Sequence, residues 1–164
     1  MFKARPLASL LAQTLASSSQ TGATAAILFT ASGALLAQAS HEGGPAKARV
    51  MAALAAGIWS HRQSRSSSAV DVTATGEPEV DEGQEHKQED PDAAIEVALE
   101  HGQLILQPIE TQRELGFSEG DRLLVALQGD PAASMAMLRQ RALAVKVYIE
   151  EEAAQVAAQT PELQ

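Results

Sequence analysis

The sequence predicts a single α/β domain whose elements run helix, two strands, helix, three strands, helix. Three observations carry that reading: leucines at helical spacing near the N-terminus, a strand-like alternation after residue 93, and alanine-rich helical tracts in the middle and at the end. At 164 residues the chain suits one domain that buries its own core without staples. It has no cysteine, which removes disulfides and thiolate metal sites and suits the cytosol. Aromatic residues make up 3% of the chain, so Leu, Ile, Val and Ala must build the core.

Leu7, Leu10, Leu11 and Leu15 fall at i, i+3, i+4 and i+8, the stripe of an amphipathic surface helix over Leu7 to Ala16. Pro6 suits its first turn. Lys3 and Arg5 precede this tract and no acid occurs before Glu42, a composition shared with targeting peptides. Ser9, Gln13 and Thr14 interrupt the apolar run, however, and favour a structural helix. After Ser17-Ser18-Ser19, Ala23 to Thr30 and Ala34 to Ala39 flank the turn Ala31-Ser32-Gly33 and read as a hairpin. His41 to Pro45 is a loop. Ala46 to His61 is a helix of high alanine propensity, and Val50, Leu54 and Ile58 at i+4 steps mark its expected sheet-facing stripe.

From Ser64 to Asp92 serines, acids, Gly76, Pro78, Gly83 and Pro91 leave almost no bulky apolar residue, so burial cannot offset the entropy of ordering. Residues 64–92 are therefore expected to be a disordered acidic insertion within a single domain spanning 5–158. Order resumes where Ile95, Val97 and Leu99 alternate with Glu96, Ala98 and Glu100, a half-buried strand over Ala93 to Glu100. His101-Gly102 turns the chain into Gln103 to Ile109. A polar loop containing Gly116 and Gly120 then leads to a strand over Arg122 to Leu127. Asp130-Pro131 opens the last helix, with Asp as cap and Pro at the first position. Met135, Leu138, Ala142, Val145 and Ile149 form its buried stripe, which runs to about Ala157.

The net charge of -9 is unevenly placed: nine acidic residues against Arg65 and Lys87 put -7 between Ser64 and Asp92, leaving -2 elsewhere. A nearly neutral body without clustered cations and stacking aromatics is not a nucleic-acid binder. No apolar run approaches the ~20 residues of a membrane span. Phe2 stands where myristoylation needs Gly, and without cysteine there is no palmitoyl or prenyl acceptor. The chain is not expected to hold a membrane by itself.

The element order resembles that of the roadblock (dynein light chain) family, and local sequence sharpens the likeness. Arg5-Pro6-Leu7, the hairpin Ser32-Gly33-Ala34-Leu35-Leu36-Ala37, and Ala48-Arg49-Val50 with Ile58-Trp59 resemble the Ragulator members of that family. So do Met137-Leu138, Tyr148-Ile149-Glu150-Glu151 and Gln155-Val156-Ala157. The Ragulator subunits are the late endosomal/lysosomal adaptors and MAPK and mTOR activators, and the likeness is to the second subunit. It covers 5–63 and 93–158; the acidic insertion and the Glu110 to Asp121 loop depart from the family pattern. The resemblance implies an α/β roadblock (profilin-like) sandwich, a five-stranded antiparallel sheet with one helix on one face and the two terminal helices on the other. It further implies a non-enzymatic scaffold, pairing with the third Ragulator subunit or a like roadblock domain, a lipidated scaffold subunit as anchor, and Rag GTPases supported at the lysosomal or vacuolar membrane in TOR signalling, any nucleotide exchange belonging to the assembled complex.

Chemistry-bearing motifs are lacking: no phosphate loop, nucleophile elbow, His-Glu-x-x-His or calcium loop occurs. His41, His61, His86 and His101 are scattered without ligand spacing. Glu150, Glu151 and Glu152 diverge by ~100° per residue around a helix and do not converge. Catalytic, cofactor and metal residues are accordingly expected to be absent. The middle helix is apolar nearly all round from Val50 to Trp59, which calls for cover on more than one side. Ala53 and Gly57 would admit a close helix. Met51, Ala52, Ala55, Ala56 and Trp59, with Ile95, Val97 and Leu99 on the third strand, are the expected partner interface. Trp59 fits equally an interface anchor or packing at a helix end. Ser64, Ser66, Ser67 and Ser68 open the alternative of a docking or phosphorylation segment. The competing functions are a dynein-associated light chain, a homodimeric GTPase regulator, and a small hydrolase whose site forms only in three dimensions.

Overall fold

The computed structural model describes residues 4–16, 22–41, 43–68, 93–110 and 121–159. Eight elements follow one another: α1 (Ala4–Ala16), β1 (Ala23–Thr30), β2 (Leu35–Ser40), α2 (Pro45–Ser68), β3 (Ile95–Leu99), β4 (Gly102–Ile109), β5 (Leu123–Gly129) and α3 (Met135–Gln159). The strands form one sheet in the order β2-β1-β5-β4-β3, and every neighbouring pair is antiparallel.

Strand alternation sends each apolar run to two cores at once. On one face Ala26 and Leu28 of β1, Ile105 and Ile109 of β4 and Val125 and Leu127 of β5 meet Leu7, Leu11 and Leu15 of α1 and Leu138, Ala142, Val145 and Ile149 of α3. On the other, Ile27, Phe29, Leu104, Leu106, Leu124 and Ala126 meet Ala48, Met51, Ala52, Ala55, Ala56 and Trp59 of α2. Full burial of each large side chain among these stabilises the fold by roughly 1.5–3 kcal/mol. The sandwich of one helix, sheet and two terminal helices is therefore as expected.

Two hairpins depend on glycine. Gly33, at φ 90°, closes the β1–β2 turn, where its N–H donates to the Thr30 carbonyl at 2.8 Å. Gly102, at φ 154°, leaves no room for a side chain: a Cβ there would lie 2.2 Å from the Gly129 carbonyl oxygen. That close approach packs the β3–β4 hairpin against the end of β5. Pro108 sits in β4 opposite Leu124 of β5, two residues past Leu106, the last residue of β4 that pairs with β3.

Several boundaries differ from the sequence expectation. α1 begins at Ala4, three residues before Leu7; β1 keeps its expected bounds, and β2 to β5 shift at their ends by one or two residues. α2 continues to Ser68, so Ser64 to Ser68, expected as the start of the disordered insertion, are helical. No Gly or Pro occurs between Gly57 and Ser68 to stop the helix. The rest of the expected insertion, the Gly116 and Gly120 loop and His86 lie outside the described residues. α3 starts at Met135 and not at Pro131. The Asp130 N–H is held by the Gly22 carbonyl at 2.9 Å, and the Asp130 carbonyl accepts from Ala133 N–H at 3.0 Å. Asp130 thus opens a turn that leaves β5, and the first helical bond runs from Leu138 N–H to the Ser134 carbonyl.

Candidate partner interface

The sheet-facing side of α2 is set by Ala48, Ala52, Ala55 and Trp59, spaced i, i+4, i+7 and i+11, all buried. Alanine lets the helix lie close on the sheet, and Trp59, 2% exposed, packs into the same core from its C-terminal half. The Arg62 guanidinium donates to the Ala93 carbonyl at 3.0 Å and ties this half of α2 to the start of β3. Its opposite side carries Ala46, Arg49, Val50, Ala53, Leu54 and Gly57 to solvent. Val50 is 69% and Leu54 49% exposed.

The two sides are thus the reverse of the sequence expectation. Val50 and Leu54 do not face the sheet, and Ile58 is only half-buried. Met51, Ala52, Ala55, Ala56 and Trp59, expected to meet a partner, lie against the chain's own strands. The stripe of bulky residues misled because the small residues, not the large ones, approach the backbone of a sheet. The 48-52-55-59 spacing marks the buried side in the structure, but small residues also line the exposed side at Ala46, Ala53 and Gly57, so no local signal singled it out.

Ile95, Val97 and Leu99 do lie together, on the α2 side of β3, half-buried against the edge of that core. β3 is an edge strand, and among the described residues no strand pairs with its outward backbone groups, which can take another strand. Glu96 points to the opposite face, where Arg139 of α3 donates to its carboxylate. Glu100 and His101 are exposed at the hairpin tip.

Among the described residues the remaining polar groups do not converge on one reacting point. Among the described residues no group of three His, Asp or Glu is placed to hold a metal ion. His41 Nε2 lies 3.3 Å from the Leu15 carbonyl oxygen, and His61 and His101 are exposed on separate elements. Glu150 pairs with Lys146 at 3.8 Å and accepts from Glu110 N–H at 3.1 Å. An open cleft of about 440 Å³ beside Trp59 is lined by Ser32, Ser60, Gln63, Asp121 and Arg122. There Ser32 bridges Thr30, at 2.7 Å, and Asp121, to which it donates at 3.0 Å. A second groove of about 440 Å³ runs between α1 and α3 past Leu10, Met137, Arg141 and Tyr148.

No family model and no curated protein matches the sequence. Among solved structures the chain is similar to a roadblock/LC7 domain from Streptomyces avermitilis, at 16% identity over 88% of this chain and 95% of that one, with a TM-score of 0.59. It is also similar to Myxococcus xanthus MglB, at 11% identity over 98% of each chain, TM-score 0.66. An MglB with tetrameric arrangement aligns at 16% identity over 95% of each chain, TM-score 0.61. The chain has the roadblock fold. At these identities the likeness is one of architecture. In this roadblock sandwich the single-helix face is the one left partly uncovered, and no helix among the described residues is long and apolar enough to cross a membrane.

Proposed function

We propose that the chain is a non-enzymatic scaffold that pairs its roadblock domain with a second one, joining β3 edges and packing the outward side of α2. The observation that carries this is the coincidence, on one face, of an open edge strand with the half-covered row Ile95, Val97 and Leu99 and the exposed Val50 and Leu54. Strand addition supplies main-chain hydrogen bonds while the flanking helix supplies apolar burial, and together they reach toward the ~800 Å² per partner of a standard interface. The interface is that expected from sequence on β3, with Val50, Ala53, Leu54 and Gly57 taking the place of the buried α2 residues.

The resemblance to the second Ragulator subunit supports the finer reading: a roadblock partner like the third subunit, a lipidated subunit as anchor, and Rag GTPases at the lysosomal or vacuolar membrane. A homodimeric GTPase regulator is the second reading, favoured by the likeness to an MglB with tetrameric arrangement. Affinity purification of the tagged chain from its native cell separates them. Stoichiometric recovery of another roadblock subunit with a lipidated subunit and Rag GTPases is expected. A self-pair with a small GTPase would support the second reading, and dynein intermediate chain a light-chain role. A chain that stays monomeric and alone would end the pairing reading.

A further inference from the structure

The outward side of α2 differs in charge from the rest of the molecule. No Asp or Glu occurs between Glu42 and Asp71, whereas Lys47, Arg49, His61, Arg62 and Arg65 all lie on α2. Lys47, Arg49, His61 and Arg65 are exposed; Arg62 is turned inward to Ala93. Among the described residues no carboxylate is paired with Lys47, Arg49 or Arg65. Glu96 faces the other side of the sheet against Arg139, and Asp121, in the cleft beside Trp59, accepts from Ser32. A helix that is cationic at both ends and apolar between them sits in a chain of net charge -9.

From this we infer that the α2 face selects its partner by charge: it takes a roadblock domain whose facing helix carries carboxylates, and it disfavours a second copy of itself. The inference rests on the pairing reading above and adds the chemistry of the partner. Two copies of this chain packed through α2 would oppose Lys or Arg to Lys or Arg whichever way the helices ran, because the helix has no acid to offer. Like charges brought together across an interface act against the wrong pair, and complementary ones favour the right pair. The small residues Ala53 and Gly57 bring two helices close, which places the flanking charges within the ~10 Å over which they act at 0.1 M salt. An anionic lipid surface would also attract the cations. The exposed apolar residues between them, however, are only Val50, Leu54 and alanines, and Trp59 is buried, so the helix lacks the bulky side chains that seat an interfacial helix.

The test uses the full chain and a charge-reversed copy of it, Lys47→Glu/Arg49→Glu/Arg65→Glu, as the acidic probe. All three side chains are exposed, and acids in the first turn of α2 suit the helix N-terminus, so the variant is expected to fold. Native mass spectrometry of an equimolar mixture counts the two self-pairs and the mixed pair. The mixed pair should exceed the statistical share by about tenfold at 50 mM NaCl and lose most of that excess by 0.5 M. Reversal takes the probe from -9 to about -15, so overall repulsion leans the same way as local complementarity, and the neutral variant separates the two. A neutral variant, Lys47→Ser/Arg49→Ser/Arg65→Ser, should self-pair several-fold better than wild type. Leu54→Glu in both partners should remove every pair.

Wild-type self-pairs as abundant as mixed pairs, and removed by Leu54→Glu, would overturn charge selection while leaving pairing through α2 intact. Pairs indifferent to Leu54→Glu, or no pairs in any mixture at 100 µM, would overturn the inference together with the pairing reading beneath it. Flotation of the wild type, but not the reversed variant, with phosphatidylserine vesicles and no preference in the mixture would assign the cations to a lipid surface instead.

Discussion

The two faces of the sheet are finished to different degrees. Five strands at ~4.8 Å spacing make a surface ~24 Å wide, and a helix with its side chains is ~10 Å across. Two helices nearly span that width; one cannot. Under α1 and α3 the large residues Leu11, Leu138 and Ile149 are at most 1% exposed, and the β3 edge is closed by Glu96 meeting Arg139. Under α2 the same edge strand offers Ile95, Val97 and Leu99 half-covered, and the helix itself shows Val50 and Leu54 to solvent. The apolar content of the strands is similar on both faces. What distinguishes them is the number of helices laid across each, and the unfinished face is where a second molecule can complete the layer.

The sharpest way to break this contrast is within α2, at two adjacent alanines. Ala52 is fully buried against the sheet, so Ala52→Glu should cost roughly 3–5 kcal/mol and unfold much of the population. Ala53 is exposed, and Ala53→Glu should leave the unfolding midpoint within about 0.5 kcal/mol of wild type while removing the paired species. Parallel thermal melts and sedimentation velocity read both. Equal destabilisation by the two would mean that the sides of α2 are wrongly assigned.

The position of the open edge is tested next. Gly102→Ala puts a Cβ against the Gly129 carbonyl and should destabilise by roughly 2–4 kcal/mol, detaching the β3–β4 hairpin first. Faster amide exchange in Leu99 and Leu104 than in Leu28 or Leu138 would show that order of loss; uniform acceleration would argue against it.

A smaller effect is expected at Val97, half-buried on the unfinished face. Val97→Asp should cost about 1–2 kcal/mol in stability but weaken pairing at least tenfold, measured as a dissociation constant by sedimentation equilibrium. Smallest of all, Arg139→Gln breaks the ion pair with Glu96 on the finished face. With Arg139 57% exposed, solvent screening keeps that loss under ~1 kcal/mol in urea titration, with pairing unchanged. A larger effect of Arg139→Gln on pairing than of Val97→Asp would reverse which face receives the partner.

Much of this architecture is legible in local sequence. Hydrophobic period and turn chemistry act over a few residues, so the strand β1, the hairpin at Ser32-Gly33, the buried stripe Leu138, Ala142, Val145 and Ile149, and the alternation through β3 could be read directly. Asp130-Pro131 could not. Its cap-like pattern is overridden by a tie from Asp130 N–H to Gly22, a contact 108 residues away in sequence. The candidate site was half legible for a related reason. Ile95, Val97 and Leu99 are marked by their own alternation, whereas the two sides of α2 are both apolar and nothing local distinguishes them.

By itself the sequence determined which segments are helix or strand, the absence of cysteine chemistry, and the concentration of acids between Ser64 and Asp92. Those follow from side-chain type and spacing alone. Only the tertiary structure decided which side of α2 is buried, because a sheet admits the side that can come closest to its backbone. Ala48, Ala52 and Ala55 meet that condition; Val50 and Leu54 do not. The same close approach that buries the alanines turns the larger residues outward, between cations that no residue of α2 can balance.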